Sequence, residues 1–309
     1  MFVKDTKVDV MRVFQSFLFT VIYTSIYRKR QAMLRTSKGI GCIYRQLPNR
    51  NLTSKKLLFA GVLVFVAIIL IIRLILFFGI PENNQEFRNK FYKAFFEKDA
   101  YSTGYVYLVS LLLFIECSSF IISFIALSVF VTYYSLTCSF IGNVFNPCIS
   151  MSKRLKTFTE LKILLYIYKD IMYKLNDMDD EFSFLAFVSV LINTTGLFCY
   201  GYKIAFYTNE ISGLLYMLSG TSCMILLLQL MISGSDLNEL GKEVRVLIQC
   251  LPQETAENQP KVNFFKKTLL QDNCLTLWKI YVMNRSLVIC TFGTLLSYGI
   301  MLGTLGKHH

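Results

Sequence analysis

Ser286-Leu-Val-Ile-Cys-Thr-Phe-Gly-Thr-Leu-Leu-Ser-Tyr298-Gly-Ile-Met-Leu-Gly-Thr-Leu-Gly306 is a run of 21 residues without a charge. At ~1.5 Å of rise per residue, a helix of that length crosses a bilayer core of ~30 Å. Only Lys307, His308 and His309 follow it, so the sequence predicts a final transmembrane helix with no C-terminal soluble domain. The segment that leads into it, Asn273 to Arg285, mixes polar and aromatic residues.

The remaining sequence has the same character. It is 54% hydrophobic and 17% charged, with a mean hydropathy of +0.48, whereas soluble chains carry about 25% charged residues. Proline is scarce at 5, which suits long, unbroken helices. The net charge of +12 belongs to Lys and Arg bordering apolar runs rather than to a nucleic-acid face. No nucleic-acid partner is expected.

Five long apolar stretches meet the length of a span: Leu57–Gly79, Tyr105–Phe140, Phe182–Phe206, Ile211–Ser233 and the final Ser286–Gly306. The second is too long for one upright crossing, so it is read as a tilted or extended span over 105–137. Val8–Tyr27 is weaker, because it holds Asp9, Arg12 and Gln15; the sequence favours a span there over an interfacial helix. The predicted class is all-α, a polytopic helical membrane protein forming one transmembrane domain over 1–309. Its six visible spans fall at 8–27, 57–79, 105–137, 182–206, 211–233 and 286–306.

Charge sets the orientation. Arg28 to Lys56 contains nine basic residues and no acid, and Lys and Arg near span ends stay cytoplasmic. Alternation then places Ile141–Glu181 and Gly234–Arg285 inside as well, and Ile80–Gly104, Tyr207–Glu210 and the C-terminus outside. All nine cysteines then fall in spans or inner loops, so no disulfide is expected. No cysteine pair has zinc-ligand spacing and the only histidines are terminal, so neither a metal nor a cofactor is expected. The sequons at Asn51, Asn193 and Asn284 read as chance matches.

The inner loops carry helical signals. From Leu155, apolar residues recur at Phe158, Leu161, Leu164, Leu165, Tyr168, Ile171, Met172 and Leu175, which is one face of a helix over about 154–176. Such a face packs on other helices or lies on lipid headgroups. A second helical region is predicted over about 236–285. It is interrupted by the polar Pro252–Pro260 and resumes near Phe264, to run through Met283 into the final span and pack against 155–175.

Three features together resemble the arthropod gustatory receptor family, whose relatives include the insect odorant receptors. The first is Tyr166-Ile-Tyr-Lys-Asp-Ile-Met-Tyr173-Lys-Leu-Asn176, followed by Phe182-Ser183 at a span start. The second is a tight external hairpin followed by a long inner loop. The third is Ser297-Tyr298-Gly-Ile-Met-Leu-Gly303-Thr304-Leu305, set against a family pattern of Thr-Tyr, five apolar residues and Gln-Phe. Tyr298 matches that pattern, Ser297 is a conservative departure, and Thr304 and Leu305 replace the last two residues.

The resemblance covers roughly Leu57 to Gly306. It implies a seven-span subunit of a tetrameric, ligand-gated cation channel in the plasma membrane of sensory neurons, detecting tastants. Its partners would be a small-molecule tastant, other receptor subunits, membrane lipid and permeating cations. Six spans here imply that the family's first span is missing from this chain, and an inactive truncated receptor is one alternative.

Ser297, Met301, Thr304 and Leu305 lie at i, i+4, i+7 and i+8, on one helical face. With the resemblance, that stripe is expected to line the pore, Met301 as a hydrophobic constriction and Thr304 as a hydroxyl facing ions. Packing against a neighbouring helix is the other reading, and Gly299 and Gly303 offer a separate close-approach face. Arg73 and Glu116 are intramembrane charges at similar depth, hence candidates for a ligand pocket. Arg73 has the alternative of snorkelling to the headgroups, as does Lys203.

A secondary transporter is the competing class, but those show internal repeats and spans broken near mid-membrane, and neither is visible here. A G-protein-coupled receptor needs a cytoplasmic C-terminus, opposite to the charge-derived orientation. An enzyme is not expected, because no internal histidine or paired carboxylates in the spans could carry chemistry.

Overall fold

Interruptions are rare in this chain, and long helices follow from that. Between Phe158 and Thr195 there is neither glycine nor proline, so no residue there favours a break. The computed structural model describes residues 2–45, 103–152, 158–206, 210–250 and 274–306, together with 64 and 68. Helix α1 spans Phe2–Arg45, α2 Thr103–Ser152, α3 Phe158–Phe206 and α4 Glu210–Gln249. A two-stranded hairpin follows, β1 at Thr276–Leu277 and β2 at Tyr281–Val282. The final helix, α5, is Arg285–Gly306.

The inner segments are not separate elements. The apolar span and the amphipathic segment before it are one 49-residue helix in α3. Likewise α4 carries its span and the Leu237–Ile248 segment as one 40-residue helix. Arg28–Arg45, read as a loop from its charge, continues α1 as helix. Pro147 lies inside α2, where its missing N–H removes one rung of the ladder.

Three described helices are long and apolar enough to cross a membrane: 121–150, 162–206 and 216–249, with a shorter apolar helix at 285–301. The stretch Leu57–Gly79, read as a span, lies outside the described residues.

Helices α2, α3 and α4 pack together, α1 lies against α2 and α3, and α5 lies against α3 and α4. One continuous core runs along them, from Ile22, Leu127 and Ile192 through Phe130, Phe182 and Leu230 to Phe145, Tyr168 and Val244. On the N-terminal part of α3, Leu164, Leu165, Tyr168, Ile171, Met172 and Leu175 are all buried. Their apolar stripe therefore faces the bundle and not the lipid surface. Each such burial is worth roughly 1.5–3 kcal/mol, so the N-terminal half of α3 is held by its own core.

The main departure from the sequence reading is at 274–283, where a helix was expected to run into the final span. The chain turns back on itself there. Thr276 pairs with Val282 and Leu277 with Tyr281, and the Ile280 N–H donates to the Leu277 carbonyl at 3.0 Å. Trp278 and Lys279 hold this turn with φ of 51° and 57°, a left-handed geometry that bulky residues rarely adopt. The physical reason is composition. Thr276, Tyr281 and Val282, three of the four strand residues, are β-branched or aromatic and favour extended backbone.

Candidate functional site

The final helix begins on a defined cap. Asn284 Oδ1 accepts the Leu287 N–H at 2.8 Å, so this asparagine satisfies one of the free N–H groups of the first turn. Beside it, the Arg285 guanidinium meets the Glu239 carboxylate of α4 at 2.5 Å. Farther along, Tyr298 sets its ring edge-on to Phe198 of α3, with centroids 5.7 Å apart.

Much of α5 is otherwise uncovered. Ile289, Leu296, Ile300 and Met301 are exposed large hydrophobics, and Ser297 and Thr304 are exposed too. The Ser297 hydroxyl donates to the Gly293 carbonyl at 2.9 Å, and that of Thr304 to the Met301 carbonyl at 2.9 Å. Their protons are committed to the helix, which leaves oxygen lone pairs as the outward chemistry. The Leu305 side chain lies outside the described residues. Exposure also covers Leu296, so burial alone does not single out the Ser297–Met301–Thr304 stripe. A Cβ added at Gly299 would meet nothing within 4 Å, so among the described residues no helix approaches closely there.

The hairpin ties this helix to the bundle. Asn238 on α4 donates from Nδ2 to the carbonyls of Leu275 at 2.9 Å and Met283 at 2.7 Å. Its Oδ1 accepts the Leu275 N–H at 2.7 Å. On α3, Asp179 Oδ1 accepts the Thr276 N–H at 2.6 Å, and its Oδ2 accepts the Thr276 hydroxyl at 2.9 Å. Burial pushes the Asp179 carboxyl above its ordinary range, while the N–H and hydroxyl of Thr276 and the Lys279 ammonium pull against that. Asp180 pairs with Lys279 at 2.5 Å.

Apolar contacts complete the clamp. Leu275, Leu277 and Met283 are buried. Trp278 packs on Phe184 and Phe187, at 5.5 Å and 5.2 Å, and its backbone N–H donates to the Ser183 carbonyl at 3.1 Å. Met283 Sδ accepts the Tyr134 hydroxyl at 3.6 Å and crowds Gly234 so closely that a Cβ there would collide with it.

The contacts converge on residues that the sequence marks as span ends. Lys29, just past Tyr27, pairs with Glu181, just before Phe182. Ser183, Gly234 and Arg285 are each held in the clamp. These contacts join α1, α3, α4 and α5 beside the hairpin.

The other singled-out residues are dispersed. Phe182 is fully buried against Phe130 and Tyr133. Tyr173 is exposed, with the Lys174 ammonium 5.3 Å from its ring centre. Asn176 donates to Asp180 at 3.5 Å. Arg73 and the side chain of Glu116 lie outside the described residues, so the expected pairing of the two does too. Sequence reading missed Asp179, Asn238 and Thr276. A polar residue about one turn from a span end was the only signal for Asp179 and Asn238, and Thr276 had none.

No protein-family model matches the chain, and no curated protein matches it. Solved structures do. The insect olfactory receptor OR5 from Machilis hrabei superposes with a TM-score of 0.64 at 12% identity, over 96% of this chain and 80% of that one. The same receptor in complex with eugenol gives 0.62 at 11% identity, over 94% and 82%.

The fold is that of an insect olfactory receptor. At such identity OR5 likeness extends to architecture alone. It fits a chain with three described helices long and apolar enough to cross a membrane.

Proposed function

We propose that this chain is a subunit of a ligand-gated cation channel of the chemoreceptor type, in the gustatory branch, working in the plasma membrane as a tetramer. The observation that supports this best is the fold it shares with OR5 over nearly its whole length. The state of the final helix agrees with it. A helix left apolar and uncovered on several sides needs lipid or other helices around it, and a ring of subunits supplies both. In that ring Ser297, Met301, Thr304 and Leu305 line the conduction path, with Met301 as the constriction. The ligand is a small organic tastant, and Arg73 and Glu116 are the candidate polar groups of its pocket.

In this reading the hairpin is the coupling element. It bonds to α3 and α4 and is continuous with the cap of α5, so displacement of α3 against α4 changes the position at which α5 starts.

The test is expression in cultured cells, alone and with partner receptor subunits, and recording of membrane current against a panel of tastants. Cation current evoked by at least one compound, from protein that is tetrameric by native mass measurement, is the expected result. Surface-expressed, folded protein that remains monomeric and passes no current would overturn the proposal.

A further inference from the structure

The inner half of α1 is held on one side and bare on the other. The held side carries Ala32 and Thr36, both buried, the Met33 carbonyl, which accepts the Tyr133 hydroxyl at 2.9 Å, and Lys29, paired with Glu181. Farther along, Gly39 lies close to Lys174, whose Cε would be 3.3 Å from an added Cβ. The bare side carries Arg28, Gln31, Arg35 and Lys38, all exposed. These positions recur at three- and four-residue steps, which makes a single stripe. Arg30 flanks it with its guanidinium 4.6 Å from the Tyr27 ring centre.

Among the described residues, no carboxylate pairs with Arg28, Arg35 or Lys38. Inner α3 brings acids near this level: its Glu181 pairs with Lys29, its Asp180 with Lys279, and among the described residues no ion pair joins its Asp170 or Asp177 to the stripe. The stripe therefore presents uncompensated positive charge beside a span. Exposed Tyr23 and Tyr27 mark the membrane edge just above it, as aromatic residues do at headgroup depth.

Depth selects the partner. Arg35 lies about 10 Å and Lys38 about 15 Å along the axis beyond Arg28, while the headgroup layer adds only about 5–8 Å on each side of the core. A simple phospholipid phosphate reaches the first arginine. A headgroup that projects from the surface and bears several phosphates reaches the whole stripe.

We propose that Arg28, Arg35 and Lys38, flanked by Arg30, form a binding surface on inner α1 for a multiply phosphorylated inositol lipid of the cytoplasmic leaflet. This rests on the membrane reading and its orientation, and does not require the chain to conduct. Clustered Lys and Arg just inside a span attract anionic lipid within about a Debye length of the surface.

The experiment uses the full chain in neutral detergent and a short-chain phosphatidylinositol 4,5-bisphosphate as probe, with binding followed by native mass spectrometry and by microscale thermophoresis. The variants are the double R28Q/R35Q and, as an equal loss of charge elsewhere, K162Q/K242Q, whose side chains are also exposed. The expected result is saturable binding that the first double weakens about tenfold or more and the second leaves within about twofold. Both doubles should elute and melt like the parent chain, since none of the four side chains is buried. Short-chain phosphatidylserine should bind more weakly than the phosphoinositide, and soluble inositol trisphosphate more weakly than the lipid. Equal weakening by the two doubles would reduce the effect to net charge, and unchanged binding in R28Q/R35Q would remove the site. Inositol trisphosphate binding as tightly as the lipid would make it a soluble-anion site. Each of these three outcomes overturns the proposal.

Discussion

Asp179 on α3 accepts the Thr276 backbone N–H at 2.6 Å, across 97 positions of sequence. That bond fixes the first strand of the hairpin to the middle of the 49-residue helix α3. Asn238 does the same from α4, and it grips both ends of the hairpin at once. The segment before the final helix is thus held by two neighbours, which accounts for a turn with two non-glycine residues at positive φ. Such residues cost about 1–3 kcal/mol each and persist only where the surroundings over-determine them.

Asn238→Ala removes three hydrogen bonds and leaves two carbonyls and one N–H without that partner. Stability should fall by about 2–3 kcal/mol, seen as a lower melting temperature of the purified chain in detergent. Asn238→Asp, which keeps the acceptor but replaces the donor, should recover only part of it. A melting temperature unchanged in Asn238→Ala would show that the hairpin is not held this way.

Gly234→Ala places a methyl group against Met283, which is itself enclosed. The extra volume should cost about 1–3 kcal/mol, and Met283→Ala in the same chain should restore part of the loss by making room. A double variant no better than the sum of the two singles would separate the residues energetically.

Lys29 and Glu181 form an ion pair that is partly open to water, with side chains 41% and 30% exposed. A double-mutant cycle with Lys29→Ala and Glu181→Ala should give a coupling below about 1 kcal/mol that shrinks as salt rises. The pair marks position more than it adds stability. A coupling of several kcal/mol, insensitive to salt, would place it deeper than the geometry indicates.

The charge-derived orientation has its own test. Glycosylation tags placed after Gly306 and within 83–104 should be modified in microsomes, and a tag near Arg45 should not. Modification near Arg45 alone would reverse the orientation, and the lipid surface on α1 would fall with it.

Sequence and structure agree where one physical signal dominates. The helical stripe from Leu164 to Leu175 was legible because its apolar residues recur at the helical period and its lysines fall between them. The apolar runs at Tyr105–Phe140, Phe182–Phe206, Ile211–Ser233 and Ser286–Gly306 were legible as helix because they are long and nearly unbroken. The hairpin at 276–282 was not, because its turn uses Trp278 and Lys279 in place of the Gly or Asn that usually marks left-handed backbone. Helix continuity through Asp177–Glu181 was also hidden, since an acidic cluster reads as a loop boundary although nothing in it breaks a helix. For the candidate site, the sequence marks the stripe on α5 but not the clamp. Asp179, Asn238 and Thr276 are 38 to 97 positions apart, and only the folded bundle brings them together.

Access to position 301 tests the central claim most directly. With Met301→Cys on the bare outer part of α5, a small water-soluble thiol reagent should block or alter current quickly when an activating compound is present and slowly without it. Leu296→Cys, on the same helix but outside the Ser297–Met301–Thr304 stripe, should react slowly in both states. Equal rates at 296 and 301, or no reaction at 301 in channels that conduct, would mean that the stripe packs against protein or lipid and that the final helix does not line the path.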